Sequence, residues 1–166
     1  MLIRTEIGDE LMRRFVIRHN GRQIVLLGAG FDTRGYRIDC VSSKTFSNLK
    51  YYEIDIKTTQ EVKLETLKKY NIDTSHVTYV PVDFSAETFS DCLAKKGWTK
   101  HQPTLFLWEG CTMYLDGDIV IDTLKTVASC PSGTYIYFDV MVSSFIIFWK
   151  SMQELKNNLI IFHNSK

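Results

Sequence analysis

Four short segments carry residue types suited to holding a polar, partly charged ligand. The first is Gly28-Ala29-Gly30-Phe31-Asp32-Thr33-Arg34-Gly35, directly after an apolar run that ends at Leu27. Glycines there let the backbone turn tightly and let a ligand approach the main chain. The second, Tyr52-Glu53-Ile54-Asp55, ends in a carboxylate that could accept from both hydroxyls of a ribose. Glu53 shares the face of Asp55 by strand alternation and stands as the alternative, and a helix N-cap is the competing role for Asp55. The third is Val82-Asp83-Phe84, where the carboxylate could accept from an exocyclic amine of adenine while the ring packs beside the base. Capping of the next helix by Asp83 or Ser85 is the structural alternative. The fourth is Glu109, which follows the apolar run Thr104–Trp108. A carboxylate there is costly to bury unless a cation meets it, either a ligand ammonium or a protein side chain.

The elements around these segments explain why they should converge. Short apolar runs at Gln23–Leu27, Lys50–Ile54, Val77–Val82, Thr104–Trp108 and Thr134–Phe138 read as strands. Amphipathic stretches at Glu10–Arg18, Thr58–Tyr70, Ala86–Lys96 and Gly117–Ser129 read as helices. Strands alternating with helices predict βαβ units, a mainly parallel sheet and helices on both faces. Ligands in such sheets sit beyond the carboxyl ends of the strands. Each of the four segments follows an apolar run, so all four fall at that edge. A glycine turn followed by acids after strands two, three and four suits a ligand with a ribose, an adenine and an amino-acid tail, which is S-adenosylmethionine. Thr33 replaces the third glycine of a G-x-G-x-x-G dinucleotide fingerprint, and no G-K-[ST] follows. A nicotinamide cofactor and a P-loop nucleotide are therefore disfavoured.

The 166 residues are expected to form one domain, 1–166, with one hydrophobic core. Hydrophobic residues make up 45% and charged residues 23%, which excludes a disordered chain. A net charge of +1 does not support a nucleic-acid binder or a polybasic membrane anchor. The apolar stretch from Val140 to Trp149 is too short to span a bilayer, and the N-terminus has no secretory pattern. Cys40, Cys92, Cys111 and Cys130 are widely spaced, without a C-x-x-C pair, and read as reduced thiols of a cytoplasmic protein rather than metal ligands. The four histidines, His19, His76, His101 and His163, lie away from the strand ends and read as surface residues.

Read as strings, the same segments resemble a known family. V-L-L-G-A-G-F-D-T-R over Val25–Arg34, Y-E-I-D over Tyr52–Asp55, V-D-F over Val82–Phe84 and P-T-L-F-L-W-E-G-C-T-M-Y-L over Pro103–Leu115 are similar to the leucine carboxyl methyltransferase superfamily. With Asp122–Ala128, the closest likeness is to its bacterial-type O-methyltransferase branch, and the similarity runs from about Arg4 to Asp139. The resemblance implies an α/β, Rossmann-like doubly wound sheet of order 3-2-1-4-5. It implies S-adenosyl-L-methionine as cofactor and a carboxylate or hydroxyl oxygen as methyl acceptor, on a small molecule or a protein. It places Gly28 and Gly30 beneath the cofactor, Asp55 on the ribose, Asp83 and Phe84 at the adenine, Glu109 at the methionine amine and Arg4 at its carboxylate. Asp32 and Arg34 match the family's D-T-R, with helix capping and local pairing as the alternative role. Tyr114 is the candidate for the acceptor pocket, and no general base is identifiable. A carboxylate acceptor, already anionic, would need none.

The family is about twice this length. The expectation is therefore of a truncated domain in which the C-terminal strands six and seven are missing. The tail then reads as an apolar helix, Val142 to Leu155, and a short apolar run, Leu159 to Phe162. The strand at Thr134–Phe138 would be an apolar edge open to self-association unless covered. The leading reading is an O-methyltransferase; a non-catalytic cofactor-binding remnant is the alternative.

Overall fold

A computed structural model describes residues 2–38, 48–140 and 160–162. Six strands and five helices are described: α1 (Leu2–Ile17), β1 (Gln23–Leu27), α2 (Arg34–Arg37), β2 (Lys50–Asp55), α3 (Lys57–Lys69), β3 (Val77–Pro81), α4 (Phe89–Lys95), β4 (Thr104–Trp108), α5 (Gly117–Ala128), β5 (Tyr135–Phe138) and β6 (Ile160–Phe162). A single 3-10 turn, Thr112–Tyr114, lies between β4 and α5.

The sheet runs β3-β2-β1-β4-β5-β6, and every pairing is parallel. β1 lies between β2 and β4, so the strand order reverses on either side of it. That reversal places the ligand edge at the C-terminal ends of β1 and β4. β1 and β4 are buried at every position because both faces are covered, which is why they read as unbroken apolar runs. Alternate residues divide the core. Val25, Leu27, Tyr52, Ile54, Phe106 and Trp108 pack with Phe89 and Leu93 of α4 and with Val120, Leu124 and Val127 of α5. Ile24, Leu26, Tyr51, Leu105 and Leu107 pack on the opposite face with Met12, Phe15 and Val16 of α1.

Beyond the short α2 and a start at Phe89 rather than Ala86 for α4, the structure departs from the sequence reading at three places. The first helix begins at Leu2, well before Glu10, because its inner face carries Asp9 as well as Met12 and Phe15 and so shows little apolar periodicity. In α3 the buried positions are Gln60 and Lys63, while Val62 points to solvent. Gln60 donates to the carbonyls of Glu53 and Val80, and Lys63 pairs with Glu53, so polar side chains hold this helix to the sheet. Finally, a sixth strand is present where strands beyond the fifth were expected to be missing. Ile160–Phe162 pairs with Tyr135–Tyr137, so the tail covers the β5 edge, the case in which that edge was expected not to be open. The helix expected at Val142 to Leu155 lies outside the described residues. Among the described residues no helix is long and apolar enough to cross a membrane.

Candidate functional site

The glycine turn after β1 is built from two left-handed residues, Gly28 at φ 65° and Gly30 at φ 49°. A Cβ on Gly28 would lie 2.7 Å from Cys111 Sγ, so this turn and the loop after β4 touch. A Cβ on Gly30 would meet nothing within 4 Å, so its outer side is open. Asp55 closes the turn: its Oδ2 accepts the Gly30 N–H at 2.6 Å and its Oδ1 accepts the Ile56 N–H at 2.8 Å. The Ala29 N–H also donates to the Ile54 carbonyl at 2.8 Å. The end of β2 and the glycine turn are thus one unit. Each carboxylate oxygen has two lone pairs, so Asp55, partly exposed, can still accept further hydrogen bonds. Glu53, the alternative acid on β2, is buried and bonded to Lys63 Nζ at 2.6 Å. Burial pushes its carboxyl up to about 7 against the pull of Lys63.

Asp83 is exposed at the end of β3, and its Oδ1 accepts both the N–H and the hydroxyl of Ser85. These bonds hold its carboxyl below the usual range. Phe84 stacks on Trp108, ring centroids 6.3 Å apart and planes 22° apart, leaving the ring half-buried.

Glu109 sits at the centre of the charged residues. Arg34 Nη2 lies 2.8 Å from its Oε1 and Arg4 Nε lies 3.3 Å from its Oε2, both at ion-pair distance. Burial pushes the Glu109 carboxyl up to about 7, and Arg34 and Arg4 oppose the shift. Arg34, only 2% exposed, also donates to Asp9 Oδ1 at 2.8 Å, to Asp32 Oδ2 at 2.6 Å and to the Thr5 carbonyl at 3.2 Å. Burial works against this charge, yet Asp32, Glu109 and Asp9 together hold its pKa above the ordinary value. Arg37 completes the group with two bonds to Asp9. Arg4 also pairs with Asp139 at the end of β5. α1, the turn after β1 and the ends of β4 and β5 therefore meet through one ionic network.

The local pairing expected as the alternative for Asp32 and Arg34 is present, since Asp32 Oδ1 accepts the Arg34 N–H and its Oδ2 takes the guanidinium, while Thr33 is the N-cap of α2 and makes no side-chain cap bond. Gly28, Gly30, Asp55, Glu109 and Arg4 all gather at the carboxyl edge, with Asp83 and Phe84 at the end of β3. Tyr114 is 83% exposed on the 3-10 turn beyond Glu109. His19 and His101 are exposed, whereas His76 is half-buried against the Gly35 carbonyl. Three charged residues of the network, Asp139, Asp9 and Arg37, were missed in the sequence. Asp139 follows an apolar strand as Glu109 does, so the strand-end rule would have found it. Asp9 carried no such signal, since an acid beside Glu10 in a charged helix looks like a solvated one.

Comparison with known proteins decides the family. The leucine carboxyl methyltransferase model matches residues 1–128. The chain belongs to the leucine carboxyl methyltransferase family. A Frankia alni protein named "Putative S-adenosyl-L-methionine-dependent methyltransferase" is 32% identical over 130 residues, covering 78% of this chain and 43% of that protein. YktD of Bacillus subtilis, named likewise, is 33% identical over 121 residues, covering 71% of this chain and 38% of its own length. The chain thus spans less than half the length of these two relatives. A solved structure of LepI in complex with SAM covers 85% of this chain and 34% of its own at TM-score 0.47 and 11% identity, too distant a likeness to bear on function.

Proposed function

We propose that the chain is the cofactor-binding part of a cytoplasmic S-adenosyl-L-methionine-dependent O-methyltransferase that acts on a carboxylate or hydroxyl oxygen. The observation that carries this reading is the joined unit of Gly28, Gly30 and Asp55, a left-handed glycine turn with an open outer side held against a strand-end carboxylate. Its donor set fits the cofactor. Asp55 would accept from the ribose hydroxyls with its remaining lone pairs. Asp83 and the Phe84 ring would meet the adenine, since one is exposed and the other half-buried beside it. Glu109 and Arg4 would hold the charged amino-acid end. When bound, the cofactor supplies an electrophilic methyl group on a sulfonium.

The protein's task is then to place an acceptor oxygen in line and to exclude water. Trp108, Phe84 and Cys111 form the apolar floor beneath the loops. Tyr114 is exposed on the 3-10 turn that follows Glu109 in the chain and is proposed to line the acceptor side. Among the described residues no histidine contacts these groups, and an anionic carboxylate acceptor would need no general base. The test is calorimetric titration of the chain with S-adenosylhomocysteine, followed by labelled methyl transfer to a panel of carboxylic acids, phenols and peptide C-termini. Binding with transfer to an oxygen supports the full reading. Binding without transfer to any acceptor would support a non-catalytic cofactor-binding unit.

A further inference from the structure

Asp139 directly follows β5, and none of the ligand-binding roles above uses it. It grips the two segments that would face the ligand's amino-acid end. Its Oδ1 accepts the Gly110 N–H at 2.7 Å, its carbonyl accepts the Thr112 hydroxyl at 2.5 Å, and its Oδ2 takes Arg4 Nη1. Its own N–H reaches the Trp108 carbonyl at 3.4 Å. Gly110, at φ 67°, lies directly under the arginine: a Cβ there would come within 3.4 Å of Arg4 Nη2. One residue therefore fixes both the turn that carries Glu109 and the guanidinium beside it.

The charge arrangement gives this grip a purpose. Glu109 is neutralised by Arg4 and Arg34, so an incoming ammonium must compete with Arg4 for it. An arginine that lost its only carboxylate in a partly buried site would pay a large desolvation cost. Asp139 is a second carboxylate paired with Arg4, so the guanidinium would keep one partner while its other N–H groups turned to a ligand carboxylate. We propose that Asp139 is a positioning residue for a zwitterionic ligand end, keeping Arg4 in place when Glu109 exchanges it for an ammonium. The inference rests on the reading of this edge as an S-adenosylmethionine site.

Two probes separate the inference from that reading. S-adenosylhomocysteine carries the amino-acid end, and 5′-methylthioadenosine shares the adenine and ribose but lacks it. Both are titrated calorimetrically into the wild-type chain, into Asp139→Asn, which keeps an oxygen for Gly110 but loses the charge, and into Asp139→Glu. The expected result is that Asp139→Asn binds S-adenosylhomocysteine about tenfold more weakly, binds 5′-methylthioadenosine as wild type does, and is partly rescued by Asp139→Glu. Equal weakening of both ligands would make Asp139 merely structural, and unchanged or tighter S-adenosylhomocysteine binding would remove its role; either overturns the inference alone. Failure of the wild-type chain to bind either probe overturns the cofactor reading and this inference with it.

Discussion

Replacing Arg34 by methionine tests how much of the fold depends on the ionic network. The side chain is 2% exposed and faces Asp9, Asp32 and Glu109 at 2.6–2.8 Å. Removing one partner of a buried pair costs about 3–5 kcal/mol, because the remaining charge stays buried without compensation. Here each abandoned carboxylate keeps one other partner. Asp9 keeps Arg37, Asp32 keeps the backbone N–H of residue 34, and Glu109 keeps Arg4. The loss should therefore fall at the low end, about 3 kcal/mol, or a fall in Tm of about 6–12 °C for a chain of this size. The pH dependence follows from the direction of the shifts. Arg37 and Arg34 outweigh burial and hold the Asp9 carboxyl below its ordinary value, so its contribution is present above that value and is lost as pH falls through the folded pKa. Glu109 loses in the variant its largest opposing cation and takes up a proton more readily. The deficit of Arg34→Met should accordingly be larger at pH 8 than at pH 5. Urea unfolding followed by circular dichroism at both pH values measures it. A deficit below about 1 kcal/mol at pH 8, or one that grows on acidification, would refute the argument.

Three further outcomes are expected. Asp55→Ala should weaken S-adenosylhomocysteine binding about ten- to a hundredfold, the range for a lost hydrogen bond to a charged group, and equal affinity by calorimetry would sink the ribose assignment. Gly28→Ala should destabilise more than Gly30→Ala in parallel thermal melts: both positions carry the left-handed penalty of about 1–2 kcal/mol, but only Gly28 has Cys111 Sγ in the way. The reverse order would contradict the described loop packing. Glu53, raised by burial to about 7, binds a proton in the folded state that the unfolded chain has released above about pH 4.5. Its favourable contribution is thus complete below about pH 4.5 and lost as pH rises to about 7. The stability of wild type relative to Glu53→Gln should fall across that window, and a difference independent of pH would remove the assigned shift.

Much of this architecture was legible in residue patterns. β1 and β4 are buried on both faces, so their runs are continuous and end sharply at Gly28 and Glu109. Alternation of strands and helices then placed the acids at one edge, because each crossover returns the chain to the same end of the sheet. Periodicity failed where polar groups do the packing. Gln60 and Lys63 hold α3 through bonds to β2 and β3, so its inner face does not look apolar. The partners of Glu109 were not legible: Arg4 and Arg34 are far from it in sequence, and a buried carboxylate indicates only that some cation must meet it. β6 has three paired residues, too few for an alternation pattern to distinguish a strand from any short apolar run.

The central claim is that the Gly28–Gly30 turn and Asp55 form a working cofactor cradle in this chain. Calorimetric titration of the folded 166-residue chain with S-adenosylhomocysteine tests it most directly. The account predicts saturable binding at a single site. A folded chain that gives no binding heat, and whose melting temperature the ligand does not raise at saturating concentration, would contradict it.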